Sequence, residues 1–187
     1  MMARIGLPTH GQGRARALSL LGLAIDGLGL SGKIVAAAAI AFMFAALLVN
    51  VVLRYAFGSG IAWAYEIHAI LLPWLVAGGL LVAASQGRNI AISLLPDLLG
   101  EGPRRGLLIL IELLVLVIAL SVLDSSQPIL KAAKFQKLST LGISQIWGYA
   151  SLVYAFGGMA AIACLDLLRL LLGRAVSLHA PEQSSLS

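Results

Sequence analysis

Four stretches of the chain are apolar for longer than a soluble core helix needs, and each is bounded by polar, basic or glycine-rich residues. Ile34 to Leu53 is interrupted only by Asn50. At ~1.5 Å per residue it covers ~30 Å, the thickness of the hydrocarbon layer of a bilayer. The pattern predicts membrane spans over about 34–53, 63–84, 106–123 and 147–165. Between the first two, Gly58-Ser59-Gly60 is too short for anything except an antiparallel return. Pro73 lies inside the second span, with Gly78 and Gly79 beyond it, and is expected to bend that helix.

The flanking segments have patterns of their own. Residues 1–16 mix arginines with helix breakers and show little periodicity, which predicts a flexible N-terminal arm. From Ala17 to Lys33, a stripe of Ser19, Gly22, Asp26, Gly29 and Lys33 opposes Leu18, Leu21, Ile25 and Leu28. That is the signature of an amphipathic helix at the membrane interface. A cleaved signal peptide is the competing reading, but Asp26 interrupts the apolar stretch and no small-x-small cleavage site follows, so the segment is expected to be retained. Ile90 to Leu99 is a candidate second interfacial element, and Asp124 to Leu141, with Pro128 and three lysines, can prolong the third span as a helix clear of the bilayer. Residues 174–187 form a tail, leaving 17–173 as the membrane domain.

Composition agrees: 60% of the residues are hydrophobic and 11% charged, so the chain is an all-α integral membrane protein of four spans. With 187 residues there is no room for a separate soluble domain. The net charge of +5 would suit nucleic acid, but the basic residues sit at span ends, where membrane topology alone puts them. With the N-terminus in the cytoplasm, Arg4, Arg14, Arg16, Lys33, Arg88, Arg104, Arg105, Arg169 and Arg174 fall inside, and Arg54, Lys131, Lys134 and Lys137 outside. This excess predicts both termini cytoplasmic. The outer lysine trio departs from the rule, either as a partner surface or as a solvated helix end. Cys164 has no intrachain partner and reads as a small packing residue.

Carboxylates in hydrocarbon are costly unless paired, so Glu66 and Glu112 need explaining. Glu66 lies one turn inside the second span, within reach of Arg54 across the short turn; Arg88, Arg105 or Arg169 can approach Glu112. Structural charge pairing is favoured over a proton or ion relay, since two acids at opposite leaflets make a poor relay. His68 follows Glu66 by two residues, about 200° around a helix, so the two cannot form one ligand set. His10 and His179 lie outside the spans, which argues against haem, and no phosphate loop, paired-cysteine motif or nucleophile–base constellation occurs. No enzyme activity, cofactor or metal is expected. Tyr55, Trp63 and Trp147 map to the outer interface as membrane anchors, while Trp74 lies deeper, where it can face a partner helix. The two halves of the chain do not repeat, which argues for an accessory subunit over a complete secondary transporter.

Several of these residues follow a family pattern. The run Asn50 to Phe57, with Leu53, Arg54, Tyr55 and Phe57, then Ile61-Ala62-Trp63, Glu66 and Trp74, resembles the small membrane subunit of tripartite ATP-independent periplasmic (TRAP) transporters. So do Gly87 and Arg88 after the second span, and Leu141-Gly142-Ile143 before Trp147 and Tyr149. The chain departs from the pattern at Tyr65, Ala69, Asn89, Ser93 and Ser144, where the family often has an acid, Arg, His, Asp and Pro. The resemblance implies a subunit in a bacterial inner membrane that does not itself translocate solute. A large permease subunit would hold the substrate and sodium sites, and a periplasmic binding protein would deliver an organic acid, with Lys131, Lys134 and Lys137 offered to it. The alternative is a self-sufficient small cation- or proton-coupled exporter built around Glu66; a quinone- or haem-binding enzyme subunit ranks below both.

Overall fold

The computed structural model describes residues 10–87 and 101–172. Five helices account for nearly all of them: α1 (His10–Phe57), α2 (Trp63–Ser85), α3 (Glu101–Ser125), α4 (Gln127–Ala133) and α5 (Ile146–Leu171). Four helical stretches, Arg16–Phe57, Trp63–Ser85, Pro103–Ala133 and Ile146–Leu171, are long and apolar enough to cross a membrane. Each expected span lies inside one of them. The third helix does continue past Leu123, as α3 and then α4, with the buried Ser126 hydroxyl donating to the Leu123 carbonyl at the junction. Residues 1–9, Arg88, the Ile90–Leu99 element and the 174–187 tail lie outside the described residues.

Two helix ends are set by glycine. Gly58 (φ +73°) closes α1, its N–H donating to the Arg54 carbonyl at 3.1 Å, and Gly87 (φ +59°) follows the last turn of α2. A left-handed residue just past a helix satisfies carbonyls that the ladder leaves open, and glycine adopts it without strain. Gly87, one of the residues that carry the resemblance, therefore has a local backbone reason.

The N-terminal segment differs from its sequence expectation. Residues 10–16 of the arm are already helical, and the 17–33 segment is not separate from the first span, because α1 runs unbroken for 48 residues, about 72 Å. Ile25, Gly29, Gly32, Ala39, Met43, Ala46 and Asn50 are buried, with Ala36 half-buried, at alternating spacings of four and three. That 3.5-residue period marks a left-handed helix pair, and it passes straight through Lys33. Gly29, a member of the expected polar stripe, and Gly32 are its contact points: a Cβ at Gly29 would run into the Ser85 side chain, and one at Gly32 would lie 2.7 Å from the Gly78 carbonyl oxygen. Leu20, Leu23 and Leu30 face outward instead.

α1 packs antiparallel on α2, α2 runs alongside α5 in the same direction, and α1 also touches α5. α3 packs on α5, antiparallel to it, and has no contact with α1 or α2 among the described residues. The bundle is thus a three-helix core with α3 as a flank. Its buried positions are dominated by alanine, glycine and serine, whereas Leu, Ile, Val and Phe cover the outside. A soluble core shows the reverse. In lipid no hydrophobic force separates helix from solvent, so close van der Waals approach between small residues holds the helices together. Cys164 lies on this exposed exterior and is not a packing residue. Trp74 faces a neighbouring helix, α5: its indole N–H donates to the Trp147 carbonyl at 2.8 Å, and its ring lies tilted against that of Tyr154, with centroids 5.6 Å apart; the Tyr154 hydroxyl lies 2.7 Å from that of Ser31. Pro73 leaves the Ala69 carbonyl without its helical donor, and Gly148 of α5 packs closely against that oxygen.

Candidate functional site

The polar residues of the bundle gather at its two ends. At the first end, Glu66 in the opening turn of α2 does not take Arg54 as its partner; Arg54 is exposed at the close of α1. The carboxylate accepts from the Thr140 N–H at 3.0 and 2.9 Å through its two oxygens, from the Thr140 hydroxyl at 2.9 Å, and from the Leu141 N–H at 3.0 Å. This corrects the expected charge pair. Backbone amides converging on a carboxylate make charge-assisted hydrogen bonds, so no arginine is required.

The loop that Glu66 holds is itself tightly bonded. Between α4 and α5, the Leu138 N–H donates to the Ile143 carbonyl (2.9 Å) and the Gln145 N–H to the Gln136 carbonyl (2.8 Å), with a bridge pairing Lys137 and Ser144. The Ser144 hydroxyl donates to the Ala133 carbonyl at 2.8 Å and the Lys134 carbonyl at 3.1 Å, so it caps α4. Gly142, at φ +65°, makes the turn. Lys131, Lys134 and Lys137 stand exposed on this framework, and Phe135 among them is 88% exposed.

Asn50 belongs to the same end. It is 3% exposed, and its side-chain oxygen accepts from the Ile61 N–H at 2.6 Å, tying the α1–α2 turn down against α1. Leu53, Arg54, Tyr55 and Phe57 lie beyond it on the last turns of α1, and Tyr55 and Phe57 are strongly exposed. Trp147 is exposed near the start of α5, and Trp63 begins α2.

At the opposite end, Arg105 donates to the carbonyls of Leu170 (2.6 Å) and Leu171 (3.3 Å), closing the C-terminus of α5, and Arg169 pairs with Asp166 at 3.2 Å. Both arginines expected beside Glu112 are thereby engaged elsewhere, and Arg88 lies outside the described residues. Neither Arg105 nor Arg169 is bonded to Glu112, which corrects the second expected pairing. Gly158 packs on Leu81, which places Asp166 roughly one turn past the level of Ser85, where α2 ends. His68 is turned away from Glu66, as the helix geometry requires, with its Nδ1–H donating to the Ala64 carbonyl at 2.8 Å.

Sequence reasoning missed four participants. Asn50 was visible as the sole polar interruption of an apolar run; Asp166, Thr140 and Phe135 carried no local signal, because their roles come from elements distant in sequence. Between the two polar ends α2, α3 and α5 carry no Asp, Glu, Lys or Arg over 67–85, 113–123 and 146–165.

Helices sealed by small residues, a large-residue exterior and long charge-free stretches in α2, α3 and α5 define a polytopic membrane protein. Within that class the chain belongs to a known family, the DctQ component of tripartite ATP-independent periplasmic transporters, which it matches over residues 34–173. It is similar, at 25% identity over 115 residues, to a Haemophilus influenzae protein provisionally named a TRAP transporter small permease protein, with 62% of this chain and 70% of that one covered. A shorter stretch of 56 residues is 36% identical to the uncharacterized protein y4mM of Sinorhizobium fredii, covering 29% of this chain and 10% of that protein. The family is a component of transport systems and not an enzyme family.

Proposed function

We propose that this chain is the scaffold subunit of a TRAP-type uptake system for organic acids in a bacterial inner membrane, with both termini cytoplasmic. The observation that carries the reading is family membership across the four-helix region, residues 34–173. The large permease subunit holds the solute and the sodium, and this chain packs beside it. α3 provides a surface suited to that contact: among the described residues it packs on α5 and the short α4 that follows it, and Leu110, Leu113, Leu114, Val117 and Ile118 are left exposed along it. The absence of Asp, Glu, Lys and Arg over 67–85, 113–123 and 146–165 supports a role in holding position and not in passing ions. The end built from the α1–α2 turn and the 134–145 loop would face the periplasm, where a substrate-binding protein docks on the assembled pair.

Reconstitution tests this. Vesicles carrying the chain alone, or the chain with its large subunit and a binding protein, are given a sodium gradient and a set of labelled organic acids. Uptake is expected only with all three proteins present. Movement of a solute by the chain alone would overturn the reading in favour of a self-sufficient exporter.

A further inference from the structure

We infer that Lys131, Lys134, Phe135 and Lys137 form a binding surface for the headgroups of anionic phospholipids. The inference depends on the chain spanning a bilayer and not on which leaflet this end meets; it requires that a docked binding protein leave Phe135 and the three lysines uncovered. From the sequence the lysines were offered to a protein partner; their depth in the fold gives them a nearer counterpart.

That depth follows from α2. With 23 residues it is about 34 Å long, little more than the hydrocarbon thickness, so its first turn has to stand at the edge of the bilayer. Glu66 is in that turn, and it is bonded directly to Thr140 and Leu141. Gln136 is bonded to Gln145, the residue before α5, and α5 starts beside this same part of α2, with Gly148 against Ala69 and Ile70. The loop therefore lies along the bilayer edge and does not rise above it, and Phe135 and Lys137, adjacent to Gln136, lie there too.

Three features suit that position to anionic lipid. The lysines fall within seven residues of chain, and among the described residues none forms an ion pair, the recorded pair being Arg169 with Asp166. The backbone beneath them is fixed by the Glu66, Ser144 and Gln145 hydrogen bonds, so gathering three cations costs little further ordering. Phe135, 88% exposed between Lys134 and Gln136, is an apolar ring at the depth where aromatic side chains settle between acyl chains and headgroups. Ammonium groups and phosphate then meet at the headgroup level, and the ring below them meets hydrocarbon.

The test places photoreactive benzoylphenylalanine at position 135 of the full chain. The protein is reconstituted in phosphatidylcholine vesicles containing a minor share of phosphatidylglycerol, alone and together with the large subunit and binding protein. After irradiation, adducts are identified by mass. Phosphatidylglycerol adducts are expected in excess of its share of the bilayer by about fivefold, the effect of a single lysine near a charged leaflet, or more. In K131Q/K134Q/K137Q, which leaves the loop hydrogen bonds intact, the excess is expected to vanish, and in K131R/K134R/K137R to persist. Adducts at the bulk share in the wild type, an excess that survives glutamine replacement, or adducts to either protein partner in the assembled complex would overturn the inference.

Discussion

A carboxylate at the margin of a bilayer can be held by another charge or by backbone amides, and Glu66 is held by amides. The sequence made Glu66 conspicuous as an acid entering an apolar helix, and the neighbouring Arg54 was the natural partner to assign. Thr140 and Leu141 lie more than seventy residues away, and only the folded α4–α5 loop brings them to it. For Glu66→Gln, hydrogen exchange at the Thr140 and Leu141 amides is expected to accelerate, with α3 and the lower half of α5 unchanged. The amide side chain offers one oxygen where the carboxylate offered two, and it turns a donor toward donors. Unaltered exchange at both positions would mean that the loop holds itself. Asn50 is a parallel case with a deeper burial. Asn50→Ala strands the Ile61 N–H and is expected to cost about 1–3 kcal/mol, read as a lower thermal midpoint of the purified protein in detergent. Its oddness was legible in the sequence, but its partner depends on how the turn folds back.

The helices were legible as elements and less so as surfaces. Hydropathy identified all four spans, because a bilayer demands long apolar helices with every backbone group satisfied internally. It could not say which side of each helix packs. Gly78 and Gly79 are adjacent and equivalent in any sequence scale, yet a Cβ at Gly78 would lie 2.6 Å from the Gly32 carbonyl oxygen, while one at Gly79 would meet nothing within 4 Å. Gly78→Ala is therefore expected to destabilise by about 1–3 kcal/mol through forced separation of α1 and α2, and Gly79→Ala to stay within about 0.5 kcal/mol of the parent. Parallel thermal melts in one detergent decide it, and equal losses would show that the α1–α2 seam is not where the structure has it. The same ambiguity produced the amphipathic reading of 17–33: a glycine counts as polar on a hydropathy wheel and as a contact in a helix pair.

For the whole molecule, the arrangement separates what the protein must seal from what it can present. α1, α2 and α5 enclose one another through small residues, and α3 stands at the flank with most of its apolar surface uncovered. In α2, α3 and α5 the ions are confined to two groups, Glu66 beside the 134–145 loop and, away from it, Arg105, Glu112, Asp166 and Arg169. That confinement was inferred from the chain alone, since burying a lone charge in hydrocarbon is prohibitive whatever the fold. The particular pairings were not, because two charges at one depth can lie on helices that never touch. Apolar run length, glycine turns and the order of motifs by themselves determined an all-α membrane protein of the TRAP small-subunit kind, because those features answer to the bilayer and to local backbone geometry. Which helix neighbours which, the unbroken course of α1 past Lys33, and the amide cradle around Glu66 were decided only in three dimensions, where contacts between residues far apart in sequence select one rotation and one depth for each helix.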